Sequence, residues 1–202
     1  MTDKEEIDFS NRLLALFKTI QKPSFNKIRP GGNETRYYIF DYPPEYEMLF
    51  RRTVNERVTR NNANPSADAI VVIDLYDLVI DILEERGYLE QCFRLEEKNG
   101  FGGIPRAIEG VLRVSSESGP LTRKIQERVR PESIVFITGV GKCCTMLRSH
   151  NVLNHLHLAF SGNPVIMFYP GRYSGQDLEL FGMINDGNYY RAFPFLSDDQ
   201  EK

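Results

Sequence analysis

The segment from Ile137 to Lys142, ITGVGK, carries the residue types of an anion site. Glycines let a backbone turn tightly after a strand, and amides at the start of a following helix point toward negative charge. Gly139, Gly141 and Lys142 are the candidate phosphate-binding residues. A nucleotide-gripping loop needs a glycine five positions ahead of its Gly-Lys pair and a Ser or Thr behind it. Phe136 and Cys143 stand there instead. Without the longer glycine loop the backbone cannot wrap a triphosphate, and a thiol replaces the hydroxyl that would hold magnesium. The expectation is a plain turn.

Two carboxylates offer a second chemistry. Asp74 ends the apolar run AIVVID, and Asp41 ends most of RYYIFDY. A carboxylate at the end of a buried strand either holds a metal or caps the next helix. Capping is the favoured reading for Asp74. If the two strands were neighbours, Asp41 and Asp74 would face each other across an acidic cleft at the sheet's carboxyl edge.

His150, His155 and His157 follow Cys143 and Cys144 closely, yet show no C-x2-C or H-x3-H ligand spacing. His155 and His157, two apart, point different ways on a helix. Cys143 or Cys144 lies too far along a helix from His150 for a nucleophile pair. No metal is expected, and no cofactor. Arg51, Arg52, Arg57 and Arg60 form one basic stretch, and Arg123, Lys124, Arg128 and Arg130 another. Each could contact phosphate, but a solvated helix face with cations near its C-terminus is the plainer reading. Tyr37, Tyr38, Tyr42, Tyr46, Tyr169, Tyr173, Tyr189 and Tyr190 gather near strand ends, a pattern that suits either a partner surface or the lid of a core.

The elements that must position these residues follow from periodicity. Residues 3–20 place Ile7, Leu13, Leu14, Leu16, Phe17 and Ile20 mostly on one helical face. A loop over 21–35 leads to the strand 36–42, stopped by Pro43 and Pro44. A helix over 45–60 comes next. The run 69–75 has the pattern of a strand buried on both faces, and its helix ends near Gly87. Two helices are expected near 104–117 and 121–130, then strand 133–138, a helix over 145–160, and strand 164–169 closed by Pro170 and Gly171. A short strand within 189–195 contains Pro194 and belongs at an edge. Apolar strands alternating with helices predict an α/β domain whose mainly parallel sheet is flanked by helices, similar to P-loop and Rossmann-like cores. The division is one domain over 1–202: helix and loop to 35, core 36–195, acidic tail 196–202.

With 202 residues, 41% hydrophobic and 26% charged, the chain can build a core without disulfide or metal staples. Three cysteines make no disulfide framework, and neither a membrane span nor a secretory leader is visible, so a cytoplasmic protein is expected. A net charge of −3 argues against a dedicated nucleic-acid binder.

Three stretches taken together, RYYIFDYPPEYE (36–47), FITGVGKCCTMLRSHNVLNHL (136–156) and PVIMFYPGRYSGQDLELFG (164–182) followed by NYYRAF, resemble the BrxB family of BREX antiphage-defence systems. The resemblance runs from about 36 to 195. It implies a P-loop-like core without working nucleotide motifs, and a place beside the methyltransferase, the large ATPase and PglZ, a phosphatase-like metalloenzyme. It brings no catalytic residues. Cys143 and Cys144 depart from the bulkier pair expected there. The expectation is a non-catalytic assembly subunit that binds another BREX protein, first of all PglZ, and reaches DNA only through the complex. The alternatives are a nucleotide- or metal-binding enzyme built on Asp41, Asp74 and Lys142, and a DNA-binding accessory protein using Arg51, Arg52, Arg57 and Arg60.

Overall fold

The structure, a computed structural model, describes residues 3–22, 25, 36–113, 116, 118–144, 146–147, 160, 162–185 and 192–195. Helix α1 (Asp3–Ile20) leads to strand β1 (Tyr37–Tyr42) and, after a 3-10 turn, to α2 (Glu47–Asn62). Strand β2 (Ile70–Asp74) runs straight into α3 (Leu75–Glu85). Then come α4 (Leu89–Asn99), α5 (Ile104–Leu112), α6 (Pro120–Arg128) and β3 (Ile134–Thr138). Strand β4 (Val165–Tyr173) is followed by β5 (Leu178–Leu180), β6 (Ile184–Asn185) and β7 (Phe193–Pro194). The expected helix over 145–160 and the tail 196–202 lie outside the described residues.

The sheet order is β2-β3-β4-β1-β7, all parallel, with β5 and β6 attached antiparallel to the far end of β4. Alternating side chains split the core in two, as the period of a strand requires. One face carries Ile39, Ile73, Val135, Ile137, Val165 and Met167 under α3 to α6. The other carries Phe40, Tyr42, Phe136, Ile166 and Phe168 under α1 and α2. Phe168 is the hub of that second face, with ring centroids 5.0 Å from Phe136, 4.8 Å from Phe50 and 5.6 Å from Phe40. Helix α1 seals the layer through Phe9, Leu13, Leu16, Phe17 and Ile20. The α/β class expected from the alternation of apolar runs and helices is the one observed.

Five expectations need correction. The helix expected near 104–117 stops at Leu112, where Arg113 turns left-handed. Ile7 is not on the buried face of α1 but 58% exposed. Strand β2 is not buried on both faces: it is an edge strand of the sheet, and Val72 is 41% exposed. An apolar run of this length does not say which neighbours it will have. Strand β4 does not close at Pro170 and Gly171 but runs on to Tyr173. Val165 donates toward β1, so alternation turns the position of Pro170's missing N–H toward β3, past β3's last partner, Met167. At Gly171 a Cβ would lie 2.1 Å from the Glu179 carbonyl, so β5 can approach only a glycine. Finally, the stretch after Gly87 holds an unforeseen helix, α4, whose one buried residue is Cys92.

The exposed rim of β2 is closed in an unusual way. Ile134 donates to Ala69, so in a parallel ladder the N–H and C=O of Ile70 and Val72 point outward. The Asn62 side chain meets both groups of Ile70, accepting from its N–H and donating to its carbonyl, each at 2.8 Å. An amide stands where another strand would pair.

Candidate functional site

In open parallel sheets ligands collect at the carboxyl ends of the strands. Here that end holds Asp74, Thr138, Gly139 and Lys142. The turn after β3 has Gly139 at φ +74°, a left-handed conformation that only glycine adopts freely, and an added Cβ would lie 2.2 Å from Asp74 Oδ1. The close packing of this glycine against Asp74 brings the carboxylate onto the turn.

Both carboxylate oxygens of Asp74 are engaged. Oδ1 accepts from the amides of Tyr76 and Asp77 at 3.0 and 3.2 Å, capping α3. Oδ2 meets Lys142 Nζ at 2.9 Å and accepts from Thr138 Oγ1 at 3.4 Å. Lys142 also reaches Asp77 Oδ1 at 3.0 Å and lies 5.1 Å from the Tyr76 ring centroid. Burial works against the lysine's charge, but the hydrogen bonds to Asp74 and Asp77 outweigh it and raise its pKa. The capping function read for Asp74 is the one it has. Gly141, the other glycine of the turn, packs against Pro170 and Phe181. A negative group therefore already sits beside the candidate anion-binding lysine, and it is the chain's own.

Cys143 is buried just beyond, where burial and the nearby Asp74 push its thiol up to about 12. Such a thiol stays protonated at neutral pH and makes a poor nucleophile. His150, His155 and His157 lie outside the described residues. Among the described residues no group of three His, Cys, Asp or Glu side chains is arranged to hold a metal.

The strand order separates the two carboxylates of the expected cleft. Strands β3 and β4 lie between β2 and β1, which puts Asp74 and Asp41 about 14 Å apart at ordinary strand spacing. Asp41 has its own duties. It pairs with Arg12 of α1 at 2.8 Å and accepts from the Tyr173 amide at 3.1 Å, tying the first helix and the extension of β4 to β1. The tyrosines are mostly core. Tyr37, Tyr42, Tyr46, Tyr169 and Tyr173 are buried, and Tyr38 is half-buried against the Phe25 and Phe195 rings. Tyr189 and Tyr190 lie outside the described residues.

The arginine stretches also divide. Lys124 pairs with Glu85 at 2.6 Å and Arg128 with Asp81 at 2.7 Å, bracing α6 against α3. Arg51 is bound to Glu47 one turn before it at 2.6 Å, and Arg52 is exposed. Arg57 and Arg60 converge on a groove of 380 Å³ between the ends of α1 and α2, shared with Lys18 and Gln21. Lys18 and Gln21 escaped the sequence reading because nothing in a linear pattern says that these two helix ends meet. The cations in the last turns of α1 and α2 were the visible signal.

Comparison with known proteins places the chain clearly. The family model described as BREX protein BrxB matches residues 71–195. A BREX protein BrxB of Bacillus cereus (strain H3081.97) is 43% identical over 187 residues, which cover 93% of this chain and 97% of that relative. Another, of Escherichia coli O9:H4 (strain HS), is 28% identical over 187 residues, covering 93% and 91%. No solved structure matches.

Proposed function

The chain belongs to the BrxB family of BREX proteins, and on that premise we propose that it serves as a non-catalytic assembly subunit, docking on another protein of its BREX system. The family assigns it a role in BREX defence. The finer reading concerns how it acts there. The observation that supports it is the Asp74–Lys142–Asp77 cluster. At the sheet end where an α/β enzyme would hold a substrate, the one candidate anion-binding lysine is already neutralised by the chain's own carboxylates. A nucleotide arriving there would have to break two ion pairs. The missing glycine and hydroxyl of the loop point the same way.

PglZ is the partner proposed. The test is purification of the tagged chain from cells carrying the whole operon. Recovery of PglZ in stoichiometric amount is expected, and recovery of the chain free of PglZ and every other BREX component would overturn the reading. In parallel, calorimetric titration of the isolated protein with ATP and Mg²⁺ should give no binding heat at millimolar nucleotide. Turnover, or binding lost in Asp74→Ala, would restore the enzyme reading.

A further inference from the structure

The groove at the other end of the sheet differs in kind from the cluster around Lys142. It opens where α1 and α2 finish, at the amino ends of the strands, since Asn61 at the end of α2 donates to the Asp68 carbonyl just ahead of β2. Lys18, Arg57 and Arg60 line it, and among the described residues none of the three has a carboxylate partner. No acidic side chain is among its lining residues.

We propose that this groove is a docking site for an acidic peptide segment of a partner protein. This inference deepens the assembly reading and rests on it. Three cations converging without counter-charge make a local positive field on a molecule whose net charge is −3. Guanidinium groups grip carboxylates through paired N–H donors. The amides supply the rest. Asn61 is fixed by its contacts with Gln21 and the Asp68 carbonyl and shapes the wall. Asn64 accepts from the Ser66 amide, which leaves its side-chain NH2 to donate to a peptide carbonyl. Half-buried Leu14 gives an apolar floor for a short side chain between the acids.

The same features disfavour a nucleic acid. Base recognition on single strands relies on exposed aromatic faces, and the one aromatic ring of the groove, Phe17, is 4% exposed and spent in the core. A duplex would need phosphate contacts spread well beyond one pocket, and Arg51, one candidate for them, is held by Glu47.

Two measurements test the proposal. In the first, fluorescence anisotropy follows a short labelled peptide of alternating glutamate and alanine, beside a labelled single-stranded oligonucleotide of the same net charge. Saturable peptide binding is expected, weakened at least about tenfold in Arg57→Glu/Arg60→Glu and in Lys18→Glu, and little changed in Arg52→Glu. Tighter binding of the oligonucleotide would overturn the proposal. So would equal loss in Arg52→Glu, which would reduce the effect to general charge. The milder Arg57→Gln/Arg60→Gln serves if the double reversal does not fold. In the second, the tagged chain and its Arg57→Gln/Arg60→Gln variant are purified from cells carrying the operon. A wild-type chain that recovers no BREX component ends the assembly reading. A wild-type chain that recovers its partners while the variant recovers them equally ends the groove proposal alone.

Discussion

The two ends of one sheet treat charge in opposite ways. At the carboxyl end Lys142 is closed between Asp74 and Asp77, and Asp41 between Arg12 and the Tyr173 amide. At the amino end Lys18, Arg57 and Arg60 face a groove with no acid in its lining among the described residues. The first end has the position of an active site and the bonding of a hinge pin: its charges hold α3, α1 and β4 to the strands. The three groove cations of the second do no such work among the described residues and keep their charge available, whereas Arg36 at the same end is spent on the Phe25 and Gly162 carbonyls. What separates them is whether a charge is satisfied by the fold itself. Position on a familiar architecture says less than that.

The contrast can be broken by loosening what lies between the two ends. Phe168→Ala removes the hub of the aromatic layer and should cost about 3–5 kcal/mol, read as the shift in a urea unfolding midpoint. A smaller loss would mean that the face under α1 and α2 is not what holds the frame. It is sharpened at the carboxyl end by Asp74→Ala. Loss of the α3 cap should destabilise by about 1–2 kcal/mol, and Asp74→Asn, which keeps a capping oxygen, by less. Equal effects in the two variants would assign the loss to the ion pair with Lys142 instead.

The buried thiol beside that cluster gives a pH signature. Folding raises the Cys143 pKa from an ordinary 9.0 to about 12, so the folded chain keeps a proton that the unfolded chain gives up. Its contribution is full below pH 9 and is lost as pH rises toward 12. The fall in stability across that window should be shallower in Cys143→Ala, measured by unfolding at each pH against the wild type. The smallest effect belongs to the amino end. Arg57→Ala should change stability by less than about 0.5 kcal/mol, because among the described residues its side chain has no hydrogen-bond or ion-pair partner. A larger loss by thermal melting would show that the groove is structural after all and erase the distinction.

Much of this frame is legible in the sequence. The runs that become β1 to β4, and the stripes of α1 and α3, announce themselves because burial on a sheet face or a helix face imposes a period. Helix α4 does not. Its stripe of Leu89, Cys92 and Phe93 is one turn long, and only Cys92 of it is buried while Phe93 is 48% exposed. The capping of α3 by Asp74 was also readable, since that interaction is local. The ion pair that joins Asp74 to Lys142 crosses sixty-eight positions, and the groove pairs the ends of two helices whose approach is set by packing on a shared sheet. Both depend on strand order, which hydrophobic period does not encode. The same gap explains why Asp41 and Asp74, each read rightly as a strand-end carboxylate, do not meet.

The amide of Asn62 has a consequence beyond its own molecule. A bare strand at the rim of a sheet is a template on which a foreign chain can continue the ladder, the first step toward aggregates. By satisfying Ile70, one side chain blocks that growth where it would start and leaves Val72 too short a landing for a stable new strand. Asn62→Ala should therefore leave the monomer folded yet turn it sticky, and light scattering at rising protein concentration would register the change as self-association absent from the parent.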